Sequence, residues 1–114
     1  IAQCLVGSEM CIRDSGTGDE YVSSGHLYLV NLVGQTPEYR NEAIKKMAQL
    51  GVATNVHFKP LPMHTAYKNL GFKIEDYPNA YERYANEITL PLHTCLTDEE
   101  VEYVIAAFNS VVRG

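Results

Sequence analysis

The sequence predicts an α+β fold in which helices pack on one small sheet of about three strands. Short runs rich in apolar and β-branched residues, typical of strands, occur at 26–33, 52–58 and 88–92. Apolar residues recur at helical spacing over about 37–50 and 97–112. With 114 residues and 46% hydrophobic content, the chain can bury one modest core.

The first 15 residues show neither helical nor strand periodicity, so we expect them to lie outside the fold. They are similar to a peptide that recurs at the ends of proteins translated from assembled sequencing reads, which indicates a translated adapter. The polar, glycine-rich run that follows has the composition of a linker. The predicted organisation is therefore a non-native leader over 1–15, a linker over 16–24 and one domain over 25–114.

The first predicted elements of the domain are a strand over 26–33 and the helix after it. The run is mostly apolar, so the strand should be largely buried. Thr36 can cap the helix, Pro37 suits its first position, and Gly51 should end it. The apolar stripe expected on this helix consists of Ala43, Ile44, Met47, Ala48 and Leu50, and the side chains expected to face water are Arg40, Glu42, Lys45 and Lys46.

A second strand is predicted over 52–58, and its end should deliver His57 into a loop. Beyond the loop, residues 65–70 predict one or two helical turns that stop at Gly71. Another helix is expected from about residue 76 to residue 87. Its tyrosines lie three or four residues apart, which is typical of aromatic side chains that pack in a core. They are Tyr77, Tyr81 and Tyr84.

The last predicted elements are a strand over 88–92 and a closing helix. Pro91 suits only an edge position or the end of that strand. Thr97 and Glu100 have the spacing of a capping box, and the acidic residues of this turn lie at the positive end of the helix dipole. The apolar stripe that should pack on the sheet consists of Val101, Val104, Ile105, Phe108 and Val112.

The composition argues against several classes of partner. A net charge of −5 without a cluster of basic residues gives no electrostatic footprint for nucleic acid. No apolar run approaches the length of a membrane span, so we expect a soluble cytoplasmic protein. The three cysteines, Cys4, Cys11 and Cys95, form no Cys-x-x-Cys pair and are interpreted as free thiols. No metal site is predicted, because His93 and Cys95 lack paired partners at ligand spacing.

The candidate binding segment is the loop from Asn55 to Tyr67. It places the imidazole of His57 and the ammonium of Lys59 two residues apart. Two prolines, Pro60 and Pro62, then fix their own φ and favour extended conformations at the preceding residues, so the loop loses little further entropy when a ligand binds. A stiffened loop with His, Lys and Tyr side chains suits an anionic or hydroxyl-rich ligand.

Four motifs, in this order, resemble the C-terminal small domain of sugar aminotransferases of the DegT/DnrJ/StrS type. The resemblance covers about residues 25–113, nearly all of the predicted domain. The motifs are His26-Leu27-Tyr28, Gly51-Val52-Ala53-Thr54-Asn55-Val56-His57-Phe58-Lys59-Pro60-Leu61, Leu90-Pro91-Leu92 and Leu96-Thr97-Asp98-Glu99-Glu100-Val101.

The resemblance implies a fold-type I pyridoxal 5'-phosphate enzyme, expected to be a homodimer. Such enzymes transfer an amino group, typically from glutamate, to a nucleotide-linked keto sugar in cell-surface polysaccharide or amino-sugar biosynthesis. In the family the loop after the His-aromatic-x-Pro motif lies at the mouth of the active site. The residues to which this implies a substrate-binding role are His57, Phe58, Lys59 and Pro60, followed by His64 and Tyr67.

The resemblance also implies that the catalytic lysine and the acidic partner of the cofactor belong to a large domain that precedes this segment. None of the five lysines here has the Ser- and His-containing approach or the Gly-rich continuation of the family's catalytic lysine. We therefore expect the chain to be an inactive fragment, with no catalytic, cofactor-binding or metal-binding residue of its own.

Other interpretations of the same residues stay open. On composition alone, His57 is a packed or surface histidine, Lys59 a solvated lysine and Tyr67 a packing residue of a short helix. His26 and His93 are interpreted as structural. The whole domain could also be a free-standing α+β ligand-binding or regulatory module without catalytic activity.

Overall fold

The computed structural model describes residues 10–12 and 26–114, with side chains over the second range. Two single 3₁₀ turns, Leu61–Met63 and Ile74–Asp76, join the longer elements. The strands and helices in chain order are β1 (Met10–Ile12), β2 (Tyr28–Leu32), α1 (Pro37–Gln49), α2 (Thr65–Asn69), α3 (Pro78–Ala85), β3 (Glu87–Leu90) and α4 (Asp98–Arg113). The expected α+β class is confirmed.

The sheet has the order β1-β2-β3, and both strand pairs are antiparallel. In the register of β2 and β3, Val30 lies opposite Ile88 and Asn31 lies opposite Glu87. Because successive side chains of a strand alternate between faces, each strand contributes to both sides of the sheet. One face carries Val30, Leu32, Ile88 and Leu90, and the other carries Leu29, Asn31, Glu87 and Thr89.

The hydrophobic core lies on the first of these faces, beneath α1 and α4. Met47 of α1 and Phe108 of α4 are completely buried against Val30 and Ile88. Two exposed or half-buried tyrosines also tie the helices together at their ends. The hydroxyl of Tyr39 donates to the Val112 carbonyl at 3.2 Å, and the hydroxyl of Tyr103 donates to the Leu50 carbonyl at 2.8 Å.

The predicted helix starts are confirmed in detail. Thr36 accepts a hydrogen bond from the Tyr39 backbone N–H and Pro37 is the first residue of α1. At α4, Thr97 and Glu100 form both hydrogen bonds of a capping box. These signals are local, so the sequence reveals them without knowledge of the tertiary structure.

The predicted strand over 52–58 is wrong. Only Asn55 pairs there, as an isolated bridge in which its backbone exchanges hydrogen bonds with Thr89. The backbone pairing with β3 ends at Asn55 because the next two backbone N–H groups donate to side chains. The Asn55 side chain accepts from the Val56 N–H at 2.8 Å, and the Glu87 carboxylate accepts from the His57 N–H at 2.9 Å.

The third strand lies instead at residues 10–12, where the backbone of Met10 to Ile12 pairs with β2. The expectation that residues 1–15 contain no element is therefore wrong for these three residues. The assembly-derived origin of the leader stays a prediction. The linker over 16–24 and the thiol of Cys4 lie outside the described residues, as does the Cys11 side chain, whereas Cys95 is an exposed free thiol.

Three predictions about side-chain burial on the helices are wrong. Arg40 was expected to face water but is only 4% exposed, because its guanidinium reaches α3. Ala48 and Leu50, assigned to the buried stripe of α1, are exposed, since the helix turns them away from the sheet. The three tyrosines predicted to pack from the helix that begins near residue 76 are not core residues either. Tyr77 and Tyr81 are exposed, and the half-buried Tyr84 lies against Arg40.

The surface of α1 carries two carboxyl groups whose pKa values are lowered. A backbone hydrogen bond and the Thr36 hydroxyl lower the pKa of Glu38. The pKa of Glu42 is lowered because Lys45 lies 2.6 Å from it in an exposed pair. Both groups are fully solvated and belong to the helix surface, so they contribute to helix formation and not to a binding site.

Candidate functional site

A cavity of about 250 Å³ opens on the face of the sheet opposite the hydrophobic core. Four segments contribute to it: β2, the loop after Asn55, α3 and the start of β3. Its lining residues are Leu29, Asn31, His57, Phe58, Pro60, Ala80, Arg83, Tyr84 and Glu87. The sheet thus has the hydrophobic core on one side and this cavity on the other.

His57 is held at the edge of this cavity by two residues, Glu87 and Thr89, which also hydrogen-bond to each other. Its backbone N–H donates to Glu87 Oε2 at 2.9 Å, and its ring Nδ1 lies 2.9 Å from Thr89 Oγ1. The Thr89 hydroxyl in turn donates to Glu87 Oε1 at 2.5 Å. One carboxylate therefore anchors both the backbone and, through the hydroxyl, the ring of His57.

The anchoring residues of His57 are buried polar side chains that the sequence analysis missed. Glu87 and Thr89 are almost completely buried, and residues two apart in β3 point to the same face. The signal was present as the Glu-x-Thr spacing. It was overlooked because the helix before the strand was predicted to extend to Glu87, whereas it ends at Ala85.

Phe58 and Pro60 extend the wall of the cavity beyond His57. The peptide bond between His57 and Phe58 is cis. The Phe58 ring stands edge-on to the imidazole, with centroids 4.7 Å apart, and the side chain is 72% exposed. A ligand in the cavity would therefore meet an imidazole flanked by accessible apolar surface.

Three of the predicted site residues do not line this cavity. Lys59 is exposed, and His64 Nε2 lies 3.3 Å from the Lys59 carbonyl. Tyr67 lies edge-on to Phe72 with ring centroids 6.1 Å apart. The structure therefore brings together His57, Phe58 and Pro60 and separates them from Lys59, His64 and Tyr67.

Residues 58–72, which begin at the cavity wall with Phe58 and Pro60 and then carry the separated residues away from it, are here called the arm. It contains α2 and the 3₁₀ turn before it, and every residue of α2 is exposed. Several of its large apolar side chains are exposed as well, among them Leu61 at 58% and Leu70 at 73%. Large apolar side chains clustered on one short segment are typical of an interaction surface.

Arg83 supplies the positive charge of the cavity, and the sequence analysis did not single it out. It also lines a larger adjoining cavity of about 470 Å³, which shares Asn31 with the first. The Asn31 amide is fixed by a 2.9 Å hydrogen bond to Asn86 Oδ1. A guanidinium at the junction of two cavities can bind a carboxylate or phosphate, while amide and imidazole groups bind hydroxyls.

The residues of this chain do not fit a pyridoxal phosphate site. The cofactor needs a lysine amine held inside a site for the Schiff base, yet all five lysines are exposed and none lines the cavities described above. Within residues 26–114, no three His, Cys, Asp or Glu side chains come together as a metal site would require. Of the helices in the described ranges, none is long and apolar enough to cross a membrane.

Comparison with known sequences gives consistent matches. The sequence model of the DegT/DnrJ/EryC1/StrS aminotransferase family matches residues 8–109. The spore coat polysaccharide biosynthesis protein SpsC of Bacillus subtilis is 35% identical over 94 residues, which are 78% of this chain and 24% of SpsC. The dTDP-4-dehydro-2,3,6-trideoxy-D-glucose 4-aminotransferase of Saccharopolyspora spinosa is 32% identical over 98 residues, 83% of this chain and 23% of that enzyme.

Solved structures show the same fold. The pyridoxal phosphate form of a putative sugar aminotransferase from Streptococcus pneumoniae, Spr1654, superposes with a TM-score of 0.91 and 48% identity. The match covers 98% of this chain but 28% of that protein. The chain thus spans about a quarter of the length of the relatives that it matches.

Proposed function

The chain belongs to the DegT/DnrJ/EryC1/StrS aminotransferase family, and from this premise we propose that it is the C-terminal small domain of a pyridoxal phosphate-dependent sugar aminotransferase. The observation that carries the proposal is the match to Spr1654, at 48% identity over 98% of this chain. Neighbouring solved structures of that protein include pyridoxal phosphate and pyridoxamine phosphate forms. The cofactor and its lysine then belong to the large domain, which agrees with the exposed lysines here.

The proposed substrate is a nucleotide-linked keto sugar, with glutamate as the amino donor. The name of the S. spinosa relative specifies a dTDP-linked dehydro sugar, and SpsC is named for polysaccharide biosynthesis. The cavity supports this class of ligand chemically, because it combines the cationic Arg83 with the hydrogen-bonding groups of His57 and Asn31. We place the reaction in amino-sugar or cell-surface polysaccharide biosynthesis in the cytoplasm.

The proposed substrate-binding residues divide into two sets. His57, Phe58 and Pro60 contact the substrate from the cavity wall. Lys59, His64 and Tyr67 approach it from the arm, once the remainder of the enzyme covers that segment. The exposure of Lys59 and of the apolar arm residues supports this assignment, because such surface is suited to burial against another part of the protein.

The full-length enzyme is proposed to be a homodimer. The arm is proposed to pack on the large domain of its own subunit, since about three quarters of the length of the relatives lies outside this chain. Hydrogen exchange of the α2 amides tests the packing. They should exchange rapidly in the 114-residue chain and slowly in the full-length enzyme.

The decisive experiment replaces the matching segment of Spr1654 with residues 26–114 of this chain. The chimera is assayed for 2-oxoglutarate release from glutamate in the presence of a dTDP-linked 4-keto sugar. We expect turnover by the chimera, and from the 114-residue chain alone neither turnover nor a visible Schiff-base absorbance with pyridoxal phosphate. A folded chimera without turnover, together with sugar binding by the isolated chain, would favour a free-standing binding module.

A further inference from the structure

We infer that Glu87 and Thr89 are positioning residues that hold His57 as its neutral Nδ1–H tautomer, so that Nε2 accepts a hydrogen bond from a hydroxyl group of the substrate. The inference deepens the proposed function and rests on it, because it takes His57 to contact the sugar. It assigns a chemical state to His57 and a role to two buried residues.

The Thr89 hydroxyl has one hydrogen to donate. Both carboxylate oxygens of Glu87 act as acceptors in this cluster: Oε2 accepts from the backbone N–H of His57 and Oε1 accepts from the Thr89 hydroxyl. The 2.5 Å hydrogen bond between Thr89 Oγ1 and Glu87 Oε1 therefore uses the hydroxyl hydrogen of Thr89. No hydrogen remains on that oxygen for a second bond.

The imidazole of His57 must therefore donate its hydrogen bond to Thr89. His57 Nδ1 lies 2.9 Å from Thr89 Oγ1, and this oxygen can act only as an acceptor towards it. Nδ1 must then carry the hydrogen. In the neutral ring the other nitrogen, Nε2, has a lone pair and no hydrogen, so it accepts hydrogen bonds. Within residues 26–114 Nε2 has no hydrogen-bond partner.

Thr89 and Glu87 are themselves held rigidly. Thr89 is fixed by the backbone, because its N–H and carbonyl both pair with Asn55, at 2.8 Å and 3.2 Å. Glu87 is fixed by β3 and is only 4% exposed. Buried, mutually satisfied hydrogen bonds hold a ring orientation more strongly than solvated ones. The ring of His57 is therefore oriented before a ligand arrives.

The consequence concerns which part of the substrate each residue recognises. A neutral imidazole with a free Nε2 lone pair prefers a donor such as a sugar hydroxyl over the oxygens of a phosphate, which only accept. Arg83, on the same cavity, is the group suited to an anion. The geometry thus assigns hydroxyl recognition to His57 and anion recognition to Arg83.

The spectroscopic test uses the 114-residue chain with ¹⁵N-labelled histidine and long-range ¹H–¹⁵N spectra, which distinguish the two tautomers. We expect His57 as the Nδ1–H form in the wild type and in Thr89→Ser, which keeps the hydroxyl. In Thr89→Val the ring should shift toward the Nε2–H form favoured by free histidine. Thr54→Val is the matched control, because the Thr54 hydroxyl has no hydrogen-bond partner within residues 26–114. An Nε2–H tautomer in the wild type would overturn the inference, as would an unchanged tautomer in folded Thr89→Val.

The kinetic test uses the active chimera and separates the inference from the function on which it rests. We expect Thr89→Val to lower kcat/KM for the sugar nucleotide about tenfold, the size of one hydrogen bond, with Thr89→Ser and Thr54→Val near wild type. His57→Ala provides the reference. If His57→Ala is impaired and Thr89→Val is not, the positioning role is overturned while the proposed function stands. If His57→Ala is also unimpaired, the substrate-binding assignment of His57 itself is wrong.

Discussion

The guanidinium of Arg40 in α1 donates a hydrogen bond of 2.7 Å to the backbone carbonyl of Tyr84 near the end of α3. The same group lies over the Tyr84 ring, 5.1 Å from its centroid, and a second hydrogen bond joins it to the side chain of Asn41 at 2.9 Å. This single side chain connects a core helix to the helix that forms one wall of the cavity.

Replacing Arg40 should therefore destabilise the domain. Arg40→Met keeps much of the apolar stem but leaves the Tyr84 carbonyl without its donor, so we expect a loss of about 1–3 kcal/mol in the free energy of unfolding, measured by urea titration. Lys46→Met, at an exposed position of the same helix, is the control and should change stability by less than about 0.5 kcal/mol. Equal effects of the two variants would contradict the structural role of Arg40.

The same substitution at two phenylalanines should give opposite results. Phe108→Ala removes a fully buried ring between the sheet and α4, and we expect it to cost about 3–5 kcal/mol of stability. Phe58→Ala removes a largely exposed ring, so its effect on unfolding should be within about 0.5 kcal/mol. Thermal and denaturant unfolding measure both. A comparable loss at Phe58 would mean that the arm belongs to the core.

Some of these features could be predicted from the sequence, and the reason is locality. The caps at Thr36 and Thr97 depend on residues three positions away, and the apolar stripe of α4, with Phe108 at its centre, depends on helical periodicity alone. His57, which lines the cavity, could be singled out because the loop that follows it is stiffened by two nearby prolines. In each case the determining residues are neighbours in the sequence.

What could not be predicted depends on distant partners. Arg40 is buried because Tyr84, 44 residues later, accepts its hydrogen bond, and no periodicity of α1 reveals this. The strand expected over 52–58 fails because Glu87, 30 residues after His57, takes the backbone donor that a neighbouring strand would have used. Apolar composition does not distinguish a strand from an extended segment held by side chains.

In the active chimera, His57 and Lys59 should differ in their kinetic signatures. His57→Ala should lower both kcat and kcat/KM, if its hydrogen bond strengthens as the reaction proceeds. Lys59→Ala removes an exposed charge that is proposed to attract the substrate's phosphates, so we expect a higher KM, little change in kcat, and an effect that shrinks at high salt. Steady-state kinetics at low and high ionic strength measure both. Lys68→Ala, another exposed lysine of the arm, is the control for nonspecific loss of charge.

Deletion of residues 1–15 tests the edge strand. Because the backbone of β1 pairs with β2, its removal leaves the hydrogen-bonding groups on one side of β2 without partners. We expect a lower Tm, by about 4–8 °C for each 1 kcal/mol lost in a domain of this size. Calorimetry of the truncated and complete chains measures it. An unchanged Tm would favour the interpretation of residues 1–15 as a non-native leader that adds nothing to the domain.

Because the two faces of the sheet differ, the register of β3 against β2 determines both the core and the site. In β3, Ile88 and Leu90 point to the core while Glu87 and Thr89 point to the opposite face, where the cavity lies. A shift of one residue along β2 would exchange the two sets, burying a carboxylate among the helices and turning two aliphatic side chains toward His57. Misalignment would thus abolish core and site together. Correct packing of the core therefore also fixes the site, because the register that buries Ile88 and Leu90 places Glu87 and Thr89 on the opposite face.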